Sequence, residues 1–143
     1  MIEVRAPQTD QEWEAYFDLR YQELRKPWNQ PKGSEKADDE DAAFHFAAFE
    51  DGQLLGVSRL QRNSLEQGQV RFMAVSDQAQ GKGIGKKIMA EVEAFAKKIG
   101  MTEIVLQARE IAVPFYLAIG YENVEKTHLL FGEIQHYLMR KKI

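Results

Sequence analysis

The chain has 143 residues, 44% of them hydrophobic, and a formal net charge of -3 at pH 7. This length suits one core of ordinary size, so we expect a single domain over residues 1–143. The acidic balance argues against nucleic acid as the main partner, and the lack of cysteine excludes disulfides, thiolate metal sites and an acyl-cysteine intermediate. Neither a signal-like start nor an apolar run of about 18 residues occurs, so we expect a cytoplasmic chain without a membrane partner.

The first half of the chain predicts a strand followed by a helix. Ile2 to Arg5 alternates apolar and polar residues, and Thr9 with Glu12 forms a capping box that opens the helix. The helix has an expected buried stripe of Trp13, Phe17, Tyr21 and Leu24. Residues 26–41 contain two prolines, a glycine and an acidic run, which predict an irregular connection with one short helix after Ser34.

A β-meander is predicted next. Residues 42–49 and 54–61 form a hairpin across Asp51-Gly52, because this pair supplies the positive φ angles of a two-residue turn. Residues 70–75 form its third strand.

The second half continues with alternating helices and strands. From Ile84 to Ile99 apolar residues recur at helical spacing, and Gly100 is the expected left-handed cap. Residues 102–108 predict a strand, residues 112–119 a helix closed by Gly120, and residues 121–131 with 134–139 a final strand pair.

The loop Gln80-Gly81-Lys82-Gly83-Ile84-Gly85 lies between the third meander strand and the long helix. Alternating glycines let backbone N–H groups converge, and the helix start adds partial positive charge, so the loop predicts a phosphate site. An ordinary glycine-containing turn is the alternative. The loop is not a P-loop, since Lys87 follows Gly85-Lys86, and it is not a Rossmann fingerprint, since Lys86 stands where the third glycine belongs.

Two segments resemble signatures of the GNAT (N-acetyltransferase) superfamily. Residues 70–75 followed by 80–86 resemble its cofactor motif (Arg/Gln)-x-x-Gly-x-(Gly/Ala), and residues 112–121 resemble Ala-x-x-Phe-Tyr-x-x-x-Gly-(Phe/Tyr). The resemblance implies the acyl-CoA N-acyltransferase fold of the α/β (α+β) class, whose mixed, mostly antiparallel sheet of about six or seven strands is flanked by about four helices. It also implies an acetyl-CoA-dependent transfer of an acetyl group to a primary amine by direct attack in a ternary complex.

The resemblance assigns site residues as well. The backbone of Met73, Ala74 and Val75 would pair with the pantetheine arm, and the Met73 N–H would polarise the thioester carbonyl. Tyr116 would protonate the departing thiolate, with simple packing of this aromatic residue as the alternative. Catalytic roles thus fall on Tyr116 and Met73. For Phe115, packing in the core is the alternative to a binding role. The implied cofactor-binding set is Met73, Ala74, Val75, Gln80, Gly81, Lys82, Gly83, Ile84, Gly85, Lys86, Phe115 and Tyr116.

The general base is left open. Many family members carry an acidic residue on the strand before the glycine loop, where this chain has Gln69 and Arg71. A hairpin that turns at Gly132 would set His128 and His136 opposite each other. The candidates are His128, His136, Glu110, Glu40 or a water, each with a structural or surface role as the alternative. With three histidines and no cysteine, metal binding is not expected.

The acceptor is expected to be a small-molecule or peptide amine. Residues 25–29, which include Trp28, and the acidic run after Ser34 belong to the loop that should set specificity, since loops on a rigid scaffold carry such differences. A non-catalytic acyl-CoA sensor and a purely structural module are the alternative functions. The exposed edge of the last strand pair is compatible with a homodimer.

Overall fold

The computed structural model describes residues 1–143 and contains seven strands and three α-helices. Short 3₁₀ helices occur at Lys26–Trp28, Glu40–Ala42, Asp77–Ala79 and Glu110–Ala112. The strands and α-helices are β1 (Ile2–Arg5), α1 (Asp10–Leu24), β2 (Phe44–Glu50), β3 (Gln53–Arg62), β4 (Gln67–Val75), α2 (Ile84–Lys98), β5 (Glu103–Arg109), α3 (Val113–Ala118), β6 (Glu122–Leu130) and β7 (Ile134–Lys142).

The strands form one mixed sheet in the order β1-β2-β3-β4-β5-β7-β6. The β1–β2, β2–β3, β5–β7 and β6–β7 ladders are antiparallel, whereas β4 and β5 pair in parallel. The mixed, mostly antiparallel sheet is therefore confirmed. About four helices were expected, and three α-helices are present. The predicted helix after Ser34 is reduced to the 3₁₀ turn Glu40–Ala42, in a connection already interrupted by Pro27 and Pro31.

Backbone contacts divide the chain into two compact units. The first unit comprises Met1–Gln61 and Phe72–Val92, and the second comprises Arg62–Arg71 and Glu93–Ile143. The single domain stays a prediction. No helix has the length and apolar character needed to cross a membrane.

In the first unit, α1 begins as its capping box predicts. The Thr9 side chain accepts a hydrogen bond from the Glu12 N–H at 3.1 Å, and the Glu12 carboxylate accepts two from Arg5. The buried face of the helix differs from the predicted stripe. It consists of Tyr16, Arg20 and Leu24, so only Leu24 was placed correctly, and Trp13, Phe17 and Tyr21 are half-buried. The shift follows from the burial of a charged residue, Arg20, which hydrophobic periodicity does not reveal.

The other predicted turns and caps of the chain are confirmed. Asp51 and Gly52 have φ angles of 52° and 80°, as the hairpin between β2 and β3 requires. Gly100 follows α2 with φ 93°, and Gly120 follows α3 with φ 101°. In the second unit, Glu93 accepts a hydrogen bond from the Tyr121 hydroxyl at 3.0 Å and one from Lys141 at 2.8 Å.

Gly56 on β3 lets α2 approach the sheet closely. A Cβ at this position would lie 2.8 Å from Cδ1 of Ile88, 3.2 Å from Cγ2 of Ile84 and 3.2 Å from the carbonyl oxygen of Ala74. Sequence reasoning missed this glycine, because its role depends on a helix that begins far along the chain. The close approach positions the start of α2, and with it the glycine-rich loop.

Gly56→Ala is expected to destabilise the fold by about 1–3 kcal/mol, because the added methyl group would overlap Ile88. Ile88→Val removes the Cδ1 atom, so the double variant should lose less stability than the sum of the two single changes. Urea unfolding of the four proteins measures this coupling. Strict additivity would contradict the proposed overlap.

Candidate active site

The glycine-rich loop lies in the first unit at the start of α2. Gly81 and Gly83 have φ angles of 80° and 78°, and a Cβ at either position would meet no atom within 4 Å. The Lys87 N–H donates to the Gly83 carbonyl at 3.1 Å, so the N–H groups of Ile84–Lys86 lie in the first helical turn, where intrahelical acceptors are missing. These donors and the positive end of the helix dipole suit an anionic phosphate.

Gln80, the first residue of the cofactor motif, connects this loop to β4. Its side-chain amide donates to the carbonyl oxygen of Val75 at 3.2 Å and approaches Asp77 at 3.4 Å. Ile84 is buried, so only its backbone is available to a ligand, whereas Gln80 and Lys82 are exposed. The Gln80 side chain thus links the loop to the end of β4.

The end of β4 extends beyond its parallel ladder. Residues Gln67–Val70 pair with Glu103–Leu106, and β4 then continues to Val75. The backbone of Met73, Ala74 and Val75 therefore lies past the last of these pairs. Main-chain N–H and C=O groups in such a segment have the hydrogen-bonding character that an extended amide-containing ligand needs.

Phe72 has an unusual backbone conformation that the sequence did not reveal. Its φ is 56°, in the left-handed region, although it lies inside β4 and has a bulky side chain. Such a conformation costs on the order of 1–3 kcal/mol and is found where a strand is locally distorted. This left-handed conformation changes the orientation of the following peptide group, which contains the Met73 N–H.

The Phe72 ring is held by buried guanidinium groups. The Arg20 and Arg59 guanidinium carbons lie 4.2 and 5.5 Å from the ring centroid, and both side chains are fully buried. Arg20 donates to Glu40 at 2.7 and 3.2 Å, and Arg59 donates to Asp39 at 3.0 and 2.9 Å. We call Arg20, Arg59, Asp39 and Glu40 the arginine cluster. Its cation–π contacts favour the strained position of Phe72.

Glu40 was one of the candidate bases, and its surroundings make it a poor proton acceptor. Burial by itself raises the pKa of this carboxyl group, but hydrogen bonds from Arg20 and the Ala37 N–H, together with the charges of Arg20 and Arg59, lower the pKa overall. The carboxylate is therefore ionised and already hydrogen-bonded at neutral pH. Its role is to neutralise the buried arginines.

The remaining side-chain candidates lie in the second unit. The rings of His128 and His136 stack with centroids 4.4 Å apart, which confirms that the hairpin sets them opposite each other. His136 Nδ1 lies 2.9 Å from the carbonyl oxygen of Ile134, and Glu110 accepts a hydrogen bond from the Tyr137 hydroxyl at 2.8 Å. The choice of base stays open among these groups and water.

Tyr116 lies on α3 in the second unit and is 5% exposed. Its ring makes edge contacts with Phe115 and Tyr121, with centroids 5.0 and 5.7 Å apart. Burial raises the pKa of its hydroxyl, and the positive charge of Arg109 opposes this rise only in part. A tyrosine hydroxyl is protonated at neutral pH even at its ordinary pKa of about 10, so the group can donate a proton, and the rise makes it a weaker acid than an exposed phenol.

Glu40→Gln is expected to lower the free energy of unfolding by about 3 kcal/mol at pH 7, because it leaves two buried arginines with one carboxylate fewer. In the folded protein the pKa of Glu40 lies below its ordinary value of 4.5. Its carboxylate therefore stabilises the fold fully above pH 4.5, and this stabilisation is lost as the pH falls through the pKa of the folded state. The difference in the free energy of unfolding between Glu40→Gln and the parent should therefore become smaller at acidic pH. Urea unfolding from pH 7 to pH 3 measures it.

Asp38→Asn serves as the control for this prediction. Asp38 is an exposed carboxylate of the same connection, and its replacement should change stability by less than about 0.5 kcal/mol. Equal stability of Glu40→Gln and Asp38→Asn at pH 7 would contradict the role assigned to the arginine cluster.

Comparison with known proteins identifies the family of this chain. A family model for the acetyltransferase (GNAT) domain matches residues 10–143. The uncharacterized N-acetyltransferase YjcF of Bacillus subtilis strain 168 is 26% identical over 125 residues, which cover 87% of this chain and 89% of YjcF.

Solved structures share the fold. ElaA of Escherichia coli superposes with a TM-score of 0.82 at 20% identity over 99% of each chain. The PaiA N-acetyltransferase of Thermoplasma acidophilum, in complex with coenzyme A, has a TM-score of 0.78 at 16% identity over 100% of this chain and 99% of its own. Because the family model spans nearly the whole sequence, this chain belongs to the GNAT acetyltransferase family.

Proposed function

We propose that this protein transfers an acetyl group from acetyl-CoA to a primary amine by direct attack in a ternary complex. The amide-rich turn at Gly81–Lys86, placed at the start of a helix, carries the proposal, because it offers converging N–H donors to a diphosphate. Family membership supports acetyl transfer, and the coenzyme A held by PaiA supports the choice of cosubstrate. The lack of cysteine favours direct attack over an acyl-cysteine intermediate.

The backbone would do most of the binding. The amides from Gly81 to Lys86 would hold the pyrophosphate, and the main chain of Met73–Val75 would pair with the pantetheine arm. The re-aimed peptide after Phe72 would present the Met73 N–H to the thioester oxygen. A donor that stabilises the charge developing on this oxygen contributes about 3 kcal/mol in comparable acyl transfers.

Tyr116 is the proposed acid. As the amine nitrogen bonds to the carbonyl carbon, the carbon–sulfur bond breaks and the sulfur needs a proton. The Tyr116 phenol is protonated at neutral pH and can supply that proton. The nitrogen loses its proton to a base that is still to be identified. A cytoplasmic location and a homodimer stay predictions.

An amine panel with free-thiol detection tests the proposal. Acetyl-CoA should raise the melting temperature, since a ligand of the native state stabilises it, and at least one primary amine should give thiol release above the hydrolysis background. Binding without transfer to any amine would favour the sensor. If millimolar acetyl-CoA does not raise the melting temperature, the result would indicate that the glycines of the loop have a purely structural role.

Gly83→Ala is expected to weaken coenzyme A binding roughly tenfold, because a Cβ disfavours the positive φ that aims the loop amides. Pantetheine lacks the pyrophosphate, so its affinity should stay unchanged. Gly33→Ala is the matched control, since Gly33 also has a positive φ (105°) in open space but lies outside the loop. Calorimetry with both ligands measures the effect, and an equal loss for pantetheine would argue against a pyrophosphate site.

Tyr116→Phe is expected to lower kcat by roughly 100-fold while changing the Kd of acetyl-CoA by less than about twofold, as for a group that acts mainly in the transition state. Tyr121→Phe is a suitable control, because the hydroxyl of this neighbouring ring bonds to Glu93 instead. Stopped-flow acetyl transfer and calorimetry give both quantities. Unchanged turnover in Tyr116→Phe, with chemistry rate-limiting, would remove Tyr116 from the mechanism.

A further inference from the structure

A pocket of about 380 Å³ lies in the first unit, and neither the family resemblance nor the comparisons assign it a function. Its walls come from α1, the irregular connection and the start of β2. The lining residues are Trp13, Phe17, Glu40, Asp41, Ala43 and His45. This volume accommodates a small organic molecule.

The walls of this pocket are largely aromatic. The rings of Trp13 and Phe17 stack with centroids 5.9 Å apart and an interplanar angle of 24°. His45 meets Trp13 edge-on, with centroids 5.0 Å apart. Aromatic faces bind apolar stems and also attract cations through their quadrupoles.

Among the lining residues, the one charge without an ion-pair partner is negative. Glu40 is neutralised by Arg20 and Arg59. Burial lowers the pKa of His45 despite its hydrogen bond to the Glu40 carbonyl, so its ring is mainly neutral at pH 7. Asp41 is exposed and takes part in none of the chain's ion pairs.

Two cationic side chains of the protein itself contact the Phe17 ring. The Lys36 ammonium nitrogen lies 4.7 Å from the Phe17 ring centroid, and the Arg20 guanidinium carbon lies 4.9 Å from it. An anionic ligand would meet the unpaired carboxylate of Asp41. A neutral ligand would gain no ionic interaction with that carboxylate.

We propose that this pocket binds an alkylammonium group of the acceptor. The ring faces of Trp13 and Phe17 would cover the alkyl stem, and Asp41 would pair with the ammonium. The assignment of this ligand as the acceptor rests on the proposed function, whereas binding of the cation itself does not. Asp41 would then select cationic amines over neutral isosteres of the same shape.

Fluorescence of Trp13 reports directly on the pocket. In a Trp28→Phe background, which leaves Trp13 as the single tryptophan, the probes are n-butylammonium, tetraethylammonium and neutral 1-butanol. Both cations should change the emission saturably, and salt should weaken them, whereas 1-butanol should bind at least fivefold more weakly. Tetraethylammonium has no N–H and accepts no acetyl group, so its signal reports binding alone.

Asp41→Asn should weaken both cations roughly fivefold, the size expected for one partly exposed ion pair. Asp38→Asn is the matched control, because it removes the same charge from the same connection outside the pocket lining, and its affinities should stay within about twofold of the parent. Equal losses in the two variants would indicate a general field effect and overturn the proposal. Equal binding of 1-butanol, or no saturable signal up to about 100 mM, would also overturn it.

Failure of this inference is distinguishable from failure of the proposed function. If amines are acetylated and Asp41→Asn leaves the acceptor KM unchanged, the transferase assignment stands and the pocket assignment fails. If the cations bind in an Asp41-dependent manner and acetyl-CoA does not bind, the pocket is a cation site and the transferase assignment fails.

Discussion

The buried ion pair between Arg20 and Glu40 organises the first unit. Arg20 is fully buried, and besides Glu40 its guanidinium donates to the Glu35 carbonyl at 3.2 Å and to the Tyr16 hydroxyl at 3.1 Å. A buried charge requires a partner and hydrogen bonds, because the interior does not replace its lost hydration. The pair therefore binds the irregular connection to α1, although that connection contains no α-helix.

This interaction also links two features of functional interest. Glu40 forms part of the aromatic pocket, and the Arg20 guanidinium lies against the ring of Phe72, the strained residue before Met73. The strain persists because the surrounding side chains hold it in place. A single charge pair thus supports both the pocket wall and the backbone that leads into the proposed cofactor site.

The proposed cofactor site is made mainly of main-chain groups. Any residue supplies an amide, so the selective constraint falls on conformation: positive φ at Gly81 and Gly83, and close packing of α2 at Gly56. Structures that are 16–20% identical to the chain share its fold with TM-scores of 0.78–0.82. Side-chain identity would matter more at Tyr116 and in the pocket, where the proposed chemistry depends on a hydroxyl, a carboxylate or an aromatic ring.

The sequence by itself determined the hairpin at Asp51-Gly52, the Thr9 cap, the extent of α2 and the opposed histidines, because turns, caps and helical periodicity act between near neighbours. It also determined the family, through two motifs with local geometry. Only the tertiary structure decided which face of α1 is buried and why Phe72 is strained. Those outcomes depend on the ion pair between Arg20 and Glu40, which lie twenty positions apart in the sequence, and no local sequence pattern predicts such a pair.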